Sequence, residues 1–282
     1  MTLFEGRALA AEIRAQVADE AGVCAPVLAA LIATEDPATE WYLGALAKAA
    51  AAVGIELREE RLDDTNRDRV LERLDALSAD ATIHAVLCLT PLPEGLRLSE
   101  AGERIAPGKD VDGANPTSLG RLAAGLPSFP PATAQAVMEL LHHAGTPLTG
   151  AEAVVVGRST VVGKPLALLL LAEHATVTVC HTRTRELAAE TRRAEILVAA
   201  AGRRHLIGAE HVKPGAIVID VGTNETEEGG ITGDVDTAAV EAVAAKVTPV
   251  PGGVGPVTTA VLLRNVVAAA REARDKAPLR FS

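Results

Sequence analysis

Aromatic side chains are nearly absent: Phe4, Trp41, Tyr42, Phe129 and Phe281 are the whole stock in 282 residues. A flat, conjugated ligand would find few surfaces to stack on, and the adjoining Trp41 and Tyr42 stand out among them. Cysteine is scarce as well. Cys24, Cys88 and Cys180 lie far apart and at least one is unpaired, which argues against a disulfide framework and for a reducing compartment. No Cys-x-x-Cys pair suggests zinc. No apolar run is long and uncharged enough to span a bilayer. The opening stretch Met1–Gly22 carries Glu5 and Glu12 among its apolar residues, so it reads as an amphipathic helix and not as a signal peptide. An excess of positive charge is lacking too. A net charge of −10 and a pI of about 5.2 argue against nucleic acid or a membrane as partner, and any anionic ligand must be met by a local basic patch. A soluble cytoplasmic protein is expected.

What the chain does have is apolar substance, 48% of its residues, enough for one large core or two modest ones. Strand-length apolar runs, Val27–Ala33 and His84–Leu89, alternate with helical stretches at Thr39–Ala52 and Asn66–Leu77. A second series, with short strands at Val154–Val156, Thr176–Cys180, Ile196–Ala200 and Ala216–Asp220, reads as a parallel sheet buried on both faces. Between the two series, Pro107–Thr133 is rich in Gly and Pro and reads as a long irregular connection. The pattern predicts an α/β protein of two lobes: residues 1–135, with the helical tail 256–282 packing back on them, and residues 136–255 as a dinucleotide-binding sheet.

The strand Val154–Val156 runs through Gly157-Arg158-Ser159-Thr160-Val161-Val162-Gly163 into the helical run Leu166–Leu171. Glycines let a backbone approach a pyrophosphate, and the free N–H groups and dipole of a helix start attract its charge. The strict fingerprint is Gly-x-Gly-x-x-Gly, and Ser159 stands at its middle glycine, so an ordinary tight turn remains open at this point. The next strand ends in Cys180-His181-Thr182-Arg183, without the carboxylate that holds the ribose of NAD. Arg158, Thr182 and Arg183 offer cations and donors instead, which suits the 2′-phosphate of NADP. Arg185 reads as a solvated surface charge.

Five segments in order resemble the methylenetetrahydrofolate dehydrogenase/cyclohydrolase family: Asp36-Pro37-Ala38-Thr39-Glu40-Trp41-Tyr42, Lys109-Asp110-Val111-Asp112-Gly113, Gly157–Pro165, Val179-Cys180-His181 and Thr248–Pro256. The resemblance implies two α/β lobes with a folate cleft between them, a C-terminal lobe of Rossmann type, and a homodimer. By position, Gly157, Arg158, Ser159, Gly163, Thr182 and Thr223 would contact NADP. Tyr42 would stack on the aminobenzoyl ring and Asp112 would hydrogen-bond the pterin, which makes these two the residues expected to serve catalysis. Pro251, Gly252 and Gly253 form a bare backbone surface suited to close approach of the substrate. On the residues alone, Tyr42 could equally be a core ring with its hydroxyl at the rim. Asp110 and Asp112 would share a face if their segment is extended.

The family's cyclohydrolase step uses a Lys four residues after the stacking Tyr, paired with a Gln; here Leu46 and Leu89 occupy those positions. Hydrolysis of a methenyl bridge needs a positioned acid or base, and leucine is neither. Lys48 is two positions on and faces elsewhere on a helix. His84 reads as a packing residue. An NADP-dependent methylenetetrahydrofolate dehydrogenase with weak or absent cyclohydrolase activity is therefore expected. Full bifunctionality through another group, a changed pterin or imine substrate, and a non-catalytic binding protein stay open.

Overall fold

The computed structural model describes residues 3–63, 65–227 and 229–276. In chain order the elements are α1 (Arg7–Cys24), β1 (Val27–Ile32), α2 (Pro37–Ala52), β2 (Glu56–Arg61), α3 (Arg67–Ala79), β3 (Ala85–Cys88), α4 (Leu98–Gly102) and α5 (Pro116–Ala123). Then follow α6 (Ala132–His143), β4 (Glu152–Val156), α7 (Gly163–Ala172), β5 (Thr176–Cys180), α8 (Leu187–Thr191), β6 (Ile196–Ala199) and β7 (Ile217–Asp220). The last are β8 (Asn224–Glu225), β9 (Ile231–Thr232), α9 (Thr237–Val240), β10 (Lys246–Val247) and α10 (Val254–Lys276). None of the described helices is long and apolar enough to cross a membrane.

Contacts divide the chain into two compact units. The first comprises Ala11–Ala132 with the α10 residues from Thr259; the second comprises Thr133–Thr258 with the described residues from Leu3 to Ala10. That the opening residues belong to the second unit corrects their assignment to the first lobe, and the cause is main-chain pairing. Phe4 N–H donates to the Val247 carbonyl (2.8 Å) and Gly6 N–H to that of Gly252 (2.9 Å). Within the first unit, the tail docks through Asn265, whose amide donates to the Val111 carbonyl (2.9 Å), and through Arg271 on Glu20 (2.7 Å). The end of the expected tail, 277–282, lies outside the described residues.

The first unit is built on a three-stranded parallel sheet in the order β2-β1-β3. Every residue of β1 is buried, as a central parallel strand requires. The edge strand β2, Glu-Leu-Arg-Glu-Glu-Arg, is charged and carried no apolar signal; Arg58–Glu56 and Arg61–Glu59 ion pairs line it. Helix α2 starts where Asp36 accepts from Thr39 N–H (3.0 Å), with Pro37 supplying the preset first-turn φ, and it buries Leu43, Leu46 and Ala50. The connection expected to be irregular contains a helix, α5. The Asn115 side chain caps it by accepting from Thr117 N–H (2.7 Å), and Pro116 begins it, so the Asn-Pro pair inside that Pro-rich stretch is a helix start signal.

The second unit holds a five-stranded, wholly parallel sheet in the order β10-β7-β6-β4-β5. The chain leaves β4 for β5 on one side and returns to β6 on the other, so the topological switch point lies between β4 and β6, where doubly wound sheets bind ligands at their carboxyl ends. Val154, Val156, Leu197 and Val218 fill the core beneath that edge.

Candidate functional site

In the first unit, α2 carries Tyr42, half-buried, and one turn further along the same face Leu46, at 0% exposure. Leu89 follows β3, 6% exposed, its N–H donating to the Leu31 carbonyl (3.0 Å). Both leucines belong to the apolar core. Lys48 is exposed. Asp112 accepts the first N–H of α6, from Ala132 (3.2 Å), placing a carboxylate at a helix start. Burial nevertheless pushes its carboxyl up to about 7, with the Ala132 N–H pulling the other way and Asp110 adding to the rise. Tyr42 and Asp112 lie close enough to feel one another: burial, then the charge of Asp112, raise the phenol well above its ordinary range.

Asp110 and Asp112 do not share a face, because the segment is a turn and not extended. Asp110 is buried and braces the loop, accepting from Ala114 N–H (2.8 Å), Asn115 N–H (3.0 Å) and the Ser118 hydroxyl (2.6 Å). His84 is engaged too. Its Nδ1 accepts from Val27 N–H (3.1 Å), and burial, with Lys109 and Arg58 nearby, lowers its pKa. His84→Ala should therefore cost about 1–2 kcal/mol in a denaturant melt, the penalty of an orphaned N–H, and leave turnover at the wild-type level. A loss of turnover without a loss of stability would instead mark it as a reacting group.

In the second unit the expected cofactor residues gather along the carboxyl edge of the sheet. Gly157 follows β4 directly at φ +134°, and a Cβ there would overlap the Ala200 carbonyl oxygen just past β6. A Cβ at Gly163 would overlap the Gly157 carbonyl. Ser159 closes the turn, its hydroxyl accepting from Val162 N–H (3.1 Å) and Gly163 N–H (3.4 Å) as α7 begins. Arg158 is exposed beside it, Thr182 is exposed past the end of β5, and Thr223 is exposed past β7. His181 is occupied locally, its Nδ1 accepting from Arg183 N–H (3.1 Å).

The arginines are unevenly engaged. In the first unit Arg58, Arg61, Arg67, Arg73, Arg104 and Arg271 all pair with carboxylates. Among the described residues, the guanidinium groups of Arg158, Arg183, Arg203 and Arg204, on the turns after β4, β5 and β6, have no such partner. A glycine turn with no room for side chains, a helix start, unpaired guanidinium groups and no carboxylate at the end of β5 together fit a phosphorylated dinucleotide.

After β10, Val250–Pro251 is a cis peptide, Gly252 has φ +110°, and Gly253 N–H donates to the Pro249 carbonyl (2.9 Å). A Cβ on Gly253 would come within 2.6 Å of that carbonyl, so the loop is bare by necessity. Three residues were not singled out from sequence. Asp220, Asp234 and Thr248 are fully buried polar groups that tie the strand ends together. An acid closing an apolar run, as Asp220 closes Ala216–Ile219, was the available signal for the first of them.

Residues 4–112 match the family model described as tetrahydrofolate dehydrogenase/cyclohydrolase, catalytic domain, and residues 131–274 match its NAD(P)-binding domain. A Parafrankia protein described as "Bifunctional protein FolD" is 53% identical over 275 residues, covering 96% of this chain and 99% of that relative. The crystal structure of the bifunctional FolD enzyme from Campylobacter jejuni superimposes with a TM-score of 0.93 at 38% identity, covering 96% of this chain and 99% of that one. The Trypanosoma brucei dehydrogenase-cyclohydrolase, solved with NADP cofactor and an inhibitor, gives a TM-score of 0.92 at 33% identity, covering 98% and 99%.

Proposed function

Because the chain belongs to the tetrahydrofolate dehydrogenase/cyclohydrolase family, we propose that it is an NADP-dependent methylenetetrahydrofolate dehydrogenase whose cyclohydrolase activity is weak or lost. The observation that carries the proposal is the burial of Leu46 and Leu89, at 0% and 6% exposure, in place of the two polar groups that the family resemblance implies for hydrolysis.

In this scheme Tyr42 stacks on the aminobenzoyl ring and Asp112 accepts from the pterin, fixing the folate by one flat contact and one directional one. Pro251, Gly252 and Gly253 offer the substrate main chain without side chains. Arg158 and Thr182 hold the 2′-phosphate, Gly157, Ser159 and Gly163 shape the turn for the pyrophosphate, and Thr223 contacts the cofactor past β7. NADP, when bound, supplies the acceptor for the hydride leaving the methylene carbon. Loss of that hydride leaves a cationic methenyl bridge, and water attacks it quickly only where a base takes the proton. At the two positions that the resemblance implies for hydrolysis the chain offers Leu46 and Leu89. Hydride transfer asks for alignment alone and survives their presence.

The test is to mix the protein with NADP and methylenetetrahydrofolate and follow reduced cofactor and methenyltetrahydrofolate separately by absorbance. Reduced cofactor should accumulate while methenyl product decays no faster than it does without enzyme. Prompt loss of the methenyl product would mean that another group does the work of a Lys, and no reduced cofactor would end the dehydrogenase proposal.

A further inference from the structure

The carboxylate of Asp234, at 0% exposure, gathers four donors: Ala201 N–H (2.6 Å), Gly202 N–H (2.9 Å), Arg203 N–H (2.7 Å) and the Asn224 side-chain amide (3.0 Å). The first three line the turn after β6; the fourth begins β8, just past the turn after β7. Asp220, at the end of β7, holds Asp234 in turn, accepting from the N–H groups of Gly222 (2.9 Å), Asp234 (3.0 Å) and Val235 (2.9 Å). Its own N–H donates to the Thr248 hydroxyl (2.7 Å), the residue that leads into the bare loop after β10. The glycines leave no slack. A Cβ on Gly222 would overlap the Asp234 carboxyl, and one on Gly233 the Asp220 carboxyl. Two desolvated carboxylates are a costly way to tie loops together, and seven donors at 2.6–3.0 Å offset that cost only with this geometry.

The sheet order shows what the tied loops face. If the 2′-phosphate is held past β5 and the pyrophosphate at the turn after β4, the rest of a dinucleotide extends towards β6 and β7, the latter about 14 Å from β5 at the usual strand spacing. The turns that Asp234 fixes therefore meet the nicotinamide half and not the adenosine half. We propose that Asp234, held by Asp220, is a positioning residue that sets the β6 and β7 turns for the nicotinamide half of the cofactor. This rests on the NADP reading above.

Calorimetric titration with NADP and with 2′,5′-ADP, which carries only the adenosine end, separates the alternatives. In Asp234→Asn an amide donor faces main-chain donors, and the two turns lose their common anchor. NADP should bind about tenfold or more weakly, while 2′,5′-ADP should stay within about twofold of wild type. A general loosening of the fold would weaken both ligands in equal proportion, and that result, or unchanged NADP binding, overturns the proposal. Should Asp234→Asn not fold, Asn224→Ala removes one donor and leaves the main-chain ties, with NADP expected to weaken about threefold and 2′,5′-ADP not at all. Equal or absent losses there overturn it as well. Wild-type protein that binds neither ligand would instead bring down the NADP reading itself, and this inference with it.

Discussion

Gly157→Ala is expected to raise the dissociation constant for NADP at least about 100-fold, equivalent to about 2.7 kcal/mol. Two independent obstacles combine at this position. The φ of +134° is one that residues with a Cβ rarely adopt, and the added methyl would overlap the Ala200 carbonyl. Neither neighbour can yield cheaply, since Val156 is paired in register with Ala199 one residue before the overlap. The turn after β4 must therefore move, and the N–H groups of the α7 start move with it. Calorimetry measures the loss, and the single tryptophan supplies the control. Trp41 adjoins Tyr42 and is 73% exposed, so folate titrations of the variant followed by its fluorescence should match wild type. Normal NADP affinity in Gly157→Ala would show that this turn is not where the pyrophosphate binds.

The second large effect concerns Asp112 and has opposite signs for stability and for activity. Its carboxyl, raised to about 7 against about 3.9 in an unfolded chain, prefers to be neutral in the folded protein. Below about pH 4 it is protonated in both states and folding is indifferent to it. As pH rises through the unfolded value the unfolded state gains by ionising, so the folded state is penalised, and the penalty levels off above about pH 7. Asp112→Asn never ionises and still accepts from Ala132 N–H. It should be more stable than wild type by about 2–4 kcal/mol at pH 8 and by only about 1 kcal/mol at pH 5. Turnover with methylenetetrahydrofolate should fall steeply at both pH values. Denaturant melts at the two pH values decide the matter: a stability difference that does not widen with pH would mean that the carboxyl is not strained. A residue retained at such a cost to stability is what a binding site, and not a core, requires.

Much of this was legible because local chemistry dictates it. The Gly157–Gly163 turn and the cationic end of β5 are properties of a few adjacent residues each, whereas the coincidence of Leu46 with Leu89 is visible only through the family resemblance; the structure gathers the turn residues on one sheet edge. The parallel sheets followed from apolar runs, and β1 and β6 are buried throughout as expected, but β5, read as buried on both faces, is an edge strand that leaves Val179 38% exposed. What escaped was whatever depends on partners distant in sequence. Strand β2 is charged because it is an edge, which only its pairing with β1 reveals. The opening residues were assigned to the nearer lobe, although their hydrogen bonds run to Val247 and Gly252. Asp110 and Asp112 looked equivalent on the assumption of an extended strand, and the turn gave one a structural role and left the other strained. Asp234 was invisible for the same reason, its donors lying some thirty residues earlier at Ala201, Gly202 and Arg203.

The uneven pairing of the arginines bears on how fast an anion can arrive. At a distance a dinucleotide meets the field of a molecule with net charge −10, whose first-unit guanidinium groups are largely neutralised by their own carboxylates. Only within about 8 Å, the screening length at physiological salt, do the unpaired groups of Arg158, Arg183, Arg203 and Arg204 outweigh it. Salt therefore acts twice, easing the long approach by screening the repulsion and loosening the final grip by screening the attraction. Encounter frequency should pass through a maximum at intermediate ionic strength, while residence time only shortens.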